Sequence, residues 1–260
     1  MRIALGVEYD GSNFHGWQLQ DPRVRSVQGV VEQAVAKVAD HPVRVHCAGR
    51  TDTGVHATGQ VVHFDTDADR DDHSWVFGAN ANLPKDVSVL WVRPVPREFH
   101  ARFCARRRSY RYAIFNRPIR PTFLRGRVAW EYRHLDAEPM AEAAQYLVGR
   151  HDFSSYRAVA CQAKEPVRTV YRLDVARHGE VIVLDVEADG FLHHMVRNIA
   201  GVLMSIGAGE REPEWAREVL EYRDRTLGGV TAPAGGLYLV DVEYPEEFEL
   251  PRLSHLPAFW

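Results

Sequence analysis

The chain has 260 residues, 45% of them hydrophobic, which is enough for one large domain or two domains of ordinary size. No segment approaches the roughly 18 consecutive apolar residues that a membrane-spanning helix needs. The N-terminus leads into a strand pattern and lacks the features of a signal peptide. Three widely separated cysteines indicate neither a disulfide framework nor a metal site. We therefore expect a cytoplasmic protein without a membrane anchor.

The formal net charge of −3 hides a basic segment. Residues 93–133 contain twelve arginines and only two acidic residues, so this segment carries +10 and the remainder −13. A basic segment in an otherwise acidic chain indicates a polyanionic partner. The 29 arginines against 3 lysines also fit phosphate binding, although the codon usage of a GC-rich genome explains much of that ratio.

Strand and helix patterns alternate in the first half of the chain. Ser26 is a candidate N-cap because a run of apolar residues at helical spacing follows it. Residues 10–25 form a polar loop punctuated by glycine. Strands are predicted at 2–9, 43–47, 60–65 and 87–92, and helices at 26–40 and 71–82.

The second half begins its own series of elements. A strand centred on Tyr110 and Tyr112 precedes an irregular basic stretch, and Asp136 is a candidate N-cap. Helices are predicted at 136–149, 191–206 and 213–222, and strands at 169–176, 180–187 and 237–243. The mixture indicates an α+β fold with two α+β halves at 1–105 and 106–260, joined by a basic connecting region at about 94–135.

One carboxylate, Asp52, lies in a polar turn between two strand patterns, within Gly49-Arg50-Thr51-Asp52-Thr53-Gly54. An aspartate in such a turn often only binds nearby backbone N–H groups. Loops at the ends of strands also carry many catalytic residues, which makes Asp52 the best candidate for chemistry. Arg50 is either a surface arginine or a group that steers phosphate or holds a base out of its stack.

A second arginine, Arg197, begins a long apolar helix, so we expect its charge to be partly buried and paired. Asp52 is a natural partner, because a guanidinium would keep this carboxylate ionised as a nucleophile requires. Pairing with another acid, or exposure to water, is the alternative. His193 and His194 are adjacent, and adjacent helical residues face different directions, so we expect no metal site.

Arginines alternate with tyrosines in Arg106-Arg107-Arg108-Ser109-Tyr110-Arg111-Tyr112. Such a strand suits a base removed from its stack, because aromatic rings stack on bases and cations bind phosphates. The alternative is a core strand with one solvated face, and we expect this for Tyr112 but leave Tyr110 open. The loop at 9–18 lacks the features of a phosphate-binding glycine motif, and no cofactor fingerprint is present, so we expect no cofactor.

Six strings in order give the chain a strong resemblance to the tRNA pseudouridine synthase family, covering about residues 2–243. They are YDGSNFHGWQ at 9–18, GRTDTGVHA at 49–57, RSYRY at 108–112, FLHHMVRN at 191–198, DRTLGG at 224–229 and GLYL at 236–239. One difference is Thr53, where the family often has alanine.

The resemblance implies a function, a fold and a set of site residues. Asp52 matches the nucleophile, Arg197 its ion-pair partner, Arg50 an arginine that helps base flipping, and Tyr110 the tyrosine that stacks on the target base. The reaction is isomerisation of uridine to pseudouridine at positions 38, 39 and 40 of the tRNA anticodon stem-loop, without cofactor or metal. The implied fold has two α+β halves that share an extended antiparallel sheet with a basic cleft between them, in a homodimer.

Two other functions compete with this interpretation. An RNA-binding module without activity needs basic strands and aromatic residues, but it does not need a carboxylate beside a polyanion. A glycoside hydrolase needs a second catalytic carboxylate, and no motif for one is present. The order of the chemical steps, direct attack or elimination, is open.

Overall fold

The computed structural model describes residues 1–21 and 23–251. Ten strands and five α-helices lie in this part of the chain, which confirms the α+β class. The chain divides into two compact units. Unit 1 contains Met1–Arg106 and the described residues from Tyr238 onward, and unit 2 contains Arg107–Leu237. No helix within the described residues has the length and hydropathy that crossing a membrane would require.

The sheet section of unit 1 has the strand order β4-β1-β3-β10, with the short β2 paired to β3. Helix α1 begins after the Ser26 cap, whose Oγ accepts a hydrogen bond from Gly29 N at 3.3 Å, as predicted. Helices α1 and α2 pack against each other, and α2 also contacts β4. The elements are β1 (Arg2–Tyr9), α1 (Val27–Ala39), β2 (His46–Cys47), β3 (His56–Asp65), α2 (Asp72–Asn82), β4 (Val87–Val95) and β10 (Leu237–Glu243).

The sheet section of unit 2 has the order β5-β9-β8-β7, with β6 paired to β5. Asp136 caps α3 as predicted, through a hydrogen bond from Glu138 N to its Oδ1 at 3.0 Å. Helix α3 packs against β8 and α4. The elements are β5 (Arg107–Asn116), β6 (Ala129–Glu131), α3 (Ala137–Gln145), β7 (Gly149–Asp152), β8 (Val167–His178), β9 (Val181–Ala188), α4 (Met195–Gly207) and α5 (Trp215–Tyr222).

The strand pairing is mixed, so the prediction of an antiparallel sheet was wrong in two places. Strand β10 runs parallel to β3, with Tyr238 opposite His56. Strand β6 runs parallel to β5, with Ile114 opposite Ala129. Both strands reach their partners through long connections rather than tight hairpins, and parallel pairing requires such connections. The basic cleft between the two halves stays a prediction.

The chain returns to unit 1 at its C-terminal end, which the sequence placed in the second half. Residues from Tyr238 onward are grouped with Met1–Arg106 because β10 adds to β3. The first division, between Arg106 and Arg107, lies one residue from the expected position. Residues 252–260, also assigned to the second half, lie outside the described residues.

Helix α4 begins at Met195 rather than at Phe191. His194 precedes it with φ of 63°, in the left-handed region, and its side chain caps no helical N–H group. A left-handed residue cannot continue an α-helix, so the apolar run before it is not helical. Arg197 is therefore in the first turn of α4.

Candidate functional site

The loop at 9–18 fixes the backbone on both sides of Asp52. Trp17 N donates to Thr51 O at 2.9 Å, and Gly54 N donates to Phe14 O at 3.3 Å. The turn itself is closed by Val55 N, which donates to Asp52 O at 3.1 Å. Asp52 is half-buried and Arg50 is exposed. The carboxylate of Asp52 therefore lies in a turn whose main chain is fixed by hydrogen bonds to the loop at 9–18.

Two glycines allow the loop to approach this turn. Gly16 has φ of +83°, and a Cβ there would lie 2.7 Å from Thr51 O. A Cβ on Gly11 would lie 2.0 Å from Val55 O. Only glycine fits such close contacts between two backbones. The sequence indicated these glycines only as features of a loop. In the structure they allow the main chain of this loop to contact the main chain at Thr51 and Val55.

A buried polar cluster supports the residues just before Asp52. Tyr9 and Thr51 share a hydrogen bond of 2.7 Å between their hydroxyl oxygens. Gln60 is fully buried, and its Nε2 donates to Gly49 O at 2.6 Å while its Oε1 accepts from Gly49 N at 3.3 Å. Sequence reasoning named Tyr9 only as the first residue of the motif at 9–18, and it missed Gln60. The one signal for Gln60 was a polar group within an otherwise apolar strand.

His56, the first residue of β3, anchors the far end of the turn. Its ring is 2% exposed, its Nδ1 accepts a hydrogen bond from Gly11 N at 3.0 Å, and it stacks on Tyr238 with ring centroids 4.6 Å apart. His56 thus joins the loop at 9–18 to the strand that follows Asp52.

In unit 2, Tyr110 lies on β5 opposite Val186 of β9. Its ring is 8% exposed and meets the Phe191 ring edge-on, with centroids 4.9 Å apart. Tyr112, two residues along, is fully buried, as expected for a core position, and its hydroxyl donates to Pro233 O at 2.8 Å. Tyr110 therefore presents only a small part of its ring, in a packed setting that fixes its plane.

Arg197 is half-buried and held by the backbone beside it. Its Nε donates to Ala232 O at 2.8 Å, and Ala232 N donates to Arg197 O at 3.1 Å. Burial raises the pKa of Tyr112 above its usual range, and the positive charge of the nearby Arg197 lowers this pKa in part. The segment around Ala232 thus orients Arg197. Arg50 and Asp52 belong to unit 1, Tyr110 and Arg197 to unit 2, and the ion pair of Asp52 with Arg197 stays a prediction.

The rings of His193 and His194 lie close together, with centroids 4.1 Å apart. We expected adjacent residues to face different directions, as they would in a helix, and this was wrong. The left-handed backbone at His194 precedes the helix and turns the second ring toward the first.

The basic segment is partly neutralised within unit 2. Glu187 and Asp185 of β9 pair with Arg107 and Arg111 at 2.8 and 2.7 Å. Glu180, just before β9, pairs with Arg117 at 3.3 Å. The charge of +10 counted along the sequence therefore overstates the field, because strand pairing brings acids from outside the segment. Seven of its arginines are exposed, namely Arg93, Arg97, Arg102, Arg106, Arg120, Arg125 and Arg127.

The fold is α+β, and its candidate site is built on one carboxylate in a rigid turn. A family model described as tRNA pseudouridine synthase matches residues 6–104 and 143–245. The chain is 63% identical to tRNA pseudouridine synthase A of Pseudomonas aeruginosa over 99% of this chain and 90% of that protein. It is 60% identical to the protein of that name from Nitrosococcus oceani, over the full length of both. The chain belongs to the tRNA pseudouridine synthase family, whose members are isomerases.

Proposed function

We propose that this protein isomerises uridine to pseudouridine at positions 38, 39 and 40 of the tRNA anticodon stem-loop, with Asp52 as the nucleophile. Family membership supports the reaction class. The observation that carries the role of Asp52 is its turn, which main-chain hydrogen bonds from Trp17 and to Phe14 hold on both sides. Such support places a reactive group in one position before substrate arrives, and this lowers the entropic cost of reaction.

The reaction breaks the N1–C1′ glycosidic bond, turns the uracil and joins C5 to C1′. C5 then loses a proton and N1 gains one, so the product has the same atoms as the substrate. No electron is transferred, and the reaction needs no redox cofactor. One carboxylate suffices, either by attack on the sugar or by removal of a sugar proton to start elimination. In both routes uridine must leave its stack before Asp52 can reach it.

The other three residues have roles that follow from their settings. Arg50, exposed two residues before Asp52, is the candidate for holding the displaced base or its phosphate. Tyr110, fixed against Phe191, offers a ring of defined plane to the target base. Arg197, with its Nε bound to Ala232 O, is the candidate ion-pair partner of Asp52. In that role its positive charge would oppose the negative charge of the carboxylate.

The substrate contacts extend beyond the reacting base. The exposed arginines of the basic segment suit the phosphates of the anticodon stem-loop, which fix orientation more than sequence. Three cysteines that lie far apart in the sequence, with no CxxC pair, agree with a cytoplasmic location. Ile119 and Phe123 are 71% and 94% exposed in unit 2, which supports a further protein interface and a homodimer. Sedimentation of the purified protein measures that state directly.

The test is pseudouridine mapping in unmodified tRNA transcripts with the Asp52→Asn variant. We expect conversion to be abolished while the Kd for tRNA stays within about threefold, because the amide keeps the shape but cannot act as a nucleophile. Asp69→Asn, the same change at an exposed aspartate of unit 1, is the matched control and should turn over normally. Normal turnover by Asp52→Asn would remove Asp52 from the mechanism. If the wild-type protein binds tRNA but converts no uridine, this result would support the binding-module alternative instead.

A further inference from the structure

A buried amide lies next to Arg197 on helix α4. Asn198 is 1% exposed, and its Oδ1 accepts hydrogen bonds from Thr231 Oγ1 at 2.7 Å and Arg225 Nη2 at 3.0 Å. Its Nδ2 donates to Tyr156 O at 2.8 Å. A buried amide with these partners fixes the segments that it joins.

Arg225 closes a triangle with this amide. Its Nη2 also donates to Thr231 Oγ1 at 2.9 Å, so the threonine hydroxyl accepts from Arg225 and donates to Asn198. Arg225 is half-buried, and within residues 1–21 and 23–251 it forms no ion pair with a carboxylate. A partly buried cation held only by neutral groups is costly, which argues against a purely stabilising role.

The triangle is continuous with the hydrogen bonds of Arg197. Thr231 is bound to Asn198, and the next residue, Ala232, is bound to Arg197 through both its N–H and its carbonyl oxygen. Val230, which precedes Thr231, contacts helix α4 directly, since a Cβ on Gly201 would be 1.7 Å from Val230 O. Two adjacent loop residues are thus matched to two adjacent helix residues. A shift at Thr231 therefore moves the carbonyl that binds the Arg197 guanidinium.

We propose that Arg225 and Thr231 are positioning residues for the isomerisation, acting through Ala232 O on the orientation of Arg197. Neither residue touches the reacting base. Arg225 fixes Thr231, Thr231 fixes the Ala232 carbonyl, and that carbonyl holds Nε so that the Nη groups of Arg197 point in one direction. The inference rests on the proposed role of Arg197 beside Asp52.

The experiment compares Thr231→Val with Thr231→Ser by steady-state pseudouridine formation in tRNA, at a temperature far below unfolding. The valine variant keeps the shape but removes both hydrogen bonds of the hydroxyl. We expect it to lower kcat by roughly tenfold or more with KM for tRNA nearly unchanged, because a positioning defect is felt in the transition state. The serine variant restores the hydroxyl and should restore kcat. Thr226→Val, on the same loop with its hydroxyl bound to Asp224, is the control and should keep wild-type kcat.

A second pair of variants, Arg225→Gln and Arg225→Lys, tests the other end of the triangle, with lysine expected to retain more kcat than glutamine. Wild-type kcat in Thr231→Val, or equal losses in the valine and serine variants, would overturn the inference. Arg197→Ala separates the two proposals. If Arg197→Ala turns over normally, the proposed role of Arg197 fails. If it is inactive while Thr231→Val is fully active, only the positioning inference fails.

Discussion

Gln60 binds both polar groups of the Gly49 backbone, donating from Nε2 to Gly49 O at 2.6 Å and accepting at Oε1 from Gly49 N at 3.3 Å. A side-chain amide here makes the pair of hydrogen bonds that a neighbouring strand would otherwise supply. This pairing lies three residues before Asp52. It connects the rigid strand β3 to the turn that carries the candidate nucleophile.

Replacing Gln60 by methionine should therefore destabilise unit 1 and misplace the turn. The near-isosteric side chain removes both partners of Gly49, at about 1 to 3 kcal/mol for each polar group left unpaired. Urea unfolding gives the change in the free energy of unfolding, and tRNA assays give the loss of turnover. Gln33→Met, the same change at an exposed position of α1, should be nearly neutral. Equal stability of the two variants would contradict this account of Gln60.

Replacing Gly16 by alanine should reduce turnover, because the added Cβ would displace Thr51 in addition to straining the backbone of residue 16. The positive φ of 83° costs an L-residue roughly 1 to 2 kcal/mol, and the added Cβ would also meet Thr51 O. Gly179→Ala is the matched control, because φ there is +61° and the Cβ would meet nothing within 4 Å. We expect both variants to lose stability but only Gly16→Ala to lose kcat. If both keep wild-type kcat, the close contact at Thr51 does not position Asp52.

Stability should fall as the pH decreases from about 6.5 toward 3, in part because of His63. Burial is the main cause that lowers the pKa of His63 to about 3; the nearby His100, Arg2 and His46 contribute to this shift, and Asp65 partly opposes it. The unfolded state takes up a proton near pH 6.5 that the folded state does not. This group's contribution is therefore complete above pH 6.5, and one such proton gives a slope of at most about 1.4 kcal/mol per pH unit below it.

His63→Gln tests this pH dependence. Glutamine does not titrate, and its Oε1 can replace Nδ1 as the acceptor for Ala101 N, which lies at 3.1 Å. We expect a flatter profile of unfolding free energy between pH 6.5 and 4 than in the wild type. His178→Gln, at an exposed histidine, should leave the slope unchanged. A wild-type slope in His63→Gln would assign the acid sensitivity to other groups.

Arg106 and Arg111 should respond differently when each is replaced by glutamine. Arg106 is exposed, whereas Arg111 is paired with Asp185 through two hydrogen bonds of 2.8 and 2.7 Å. If Arg106 binds a phosphate, its loss reduces the slope of log Kd for tRNA against log salt by about 1. Arg111→Gln should instead lower stability, because Asp185 is left without its partner. Titrations at several salt concentrations decide between these outcomes, and an unchanged slope in Arg106→Gln would exclude a phosphate contact there.

Local signals in the sequence predicted much of the fold. Ser26 and Asp136 cap helices as expected because an N-cap depends only on the next three residues. The parallel strand β10 was assigned to the wrong half because no local pattern shows which distant strand it joins. His194 was placed in a helix because its left-handed backbone has no signature in a non-glycine residue.

The candidate site shows the same division. Asp52, Arg50, Tyr110 and Arg197 were proposed as site residues from ordered motifs, and their roles stay predictions. Gln60 was not, because its partner Gly49 is a backbone group that only the fold brings near it. The surplus positive charge was overestimated for a related reason. The carboxylates of β9 are distant in sequence from the arginines that they neutralise.

The return of the chain to unit 1 has a consequence for biosynthesis. Strand β10 pairs with β3, so the sheet section that carries Asp52 lacks one strand until the ribosome has passed Glu243. Unit 2, made of consecutive residues, can complete its sheet section earlier. A nascent chain that stops before Leu237 would thus contain every candidate site residue and still be unable to finish the unit that contains Asp52. Exposed, unpaired strand edges of this kind make an incomplete chain prone to aggregation.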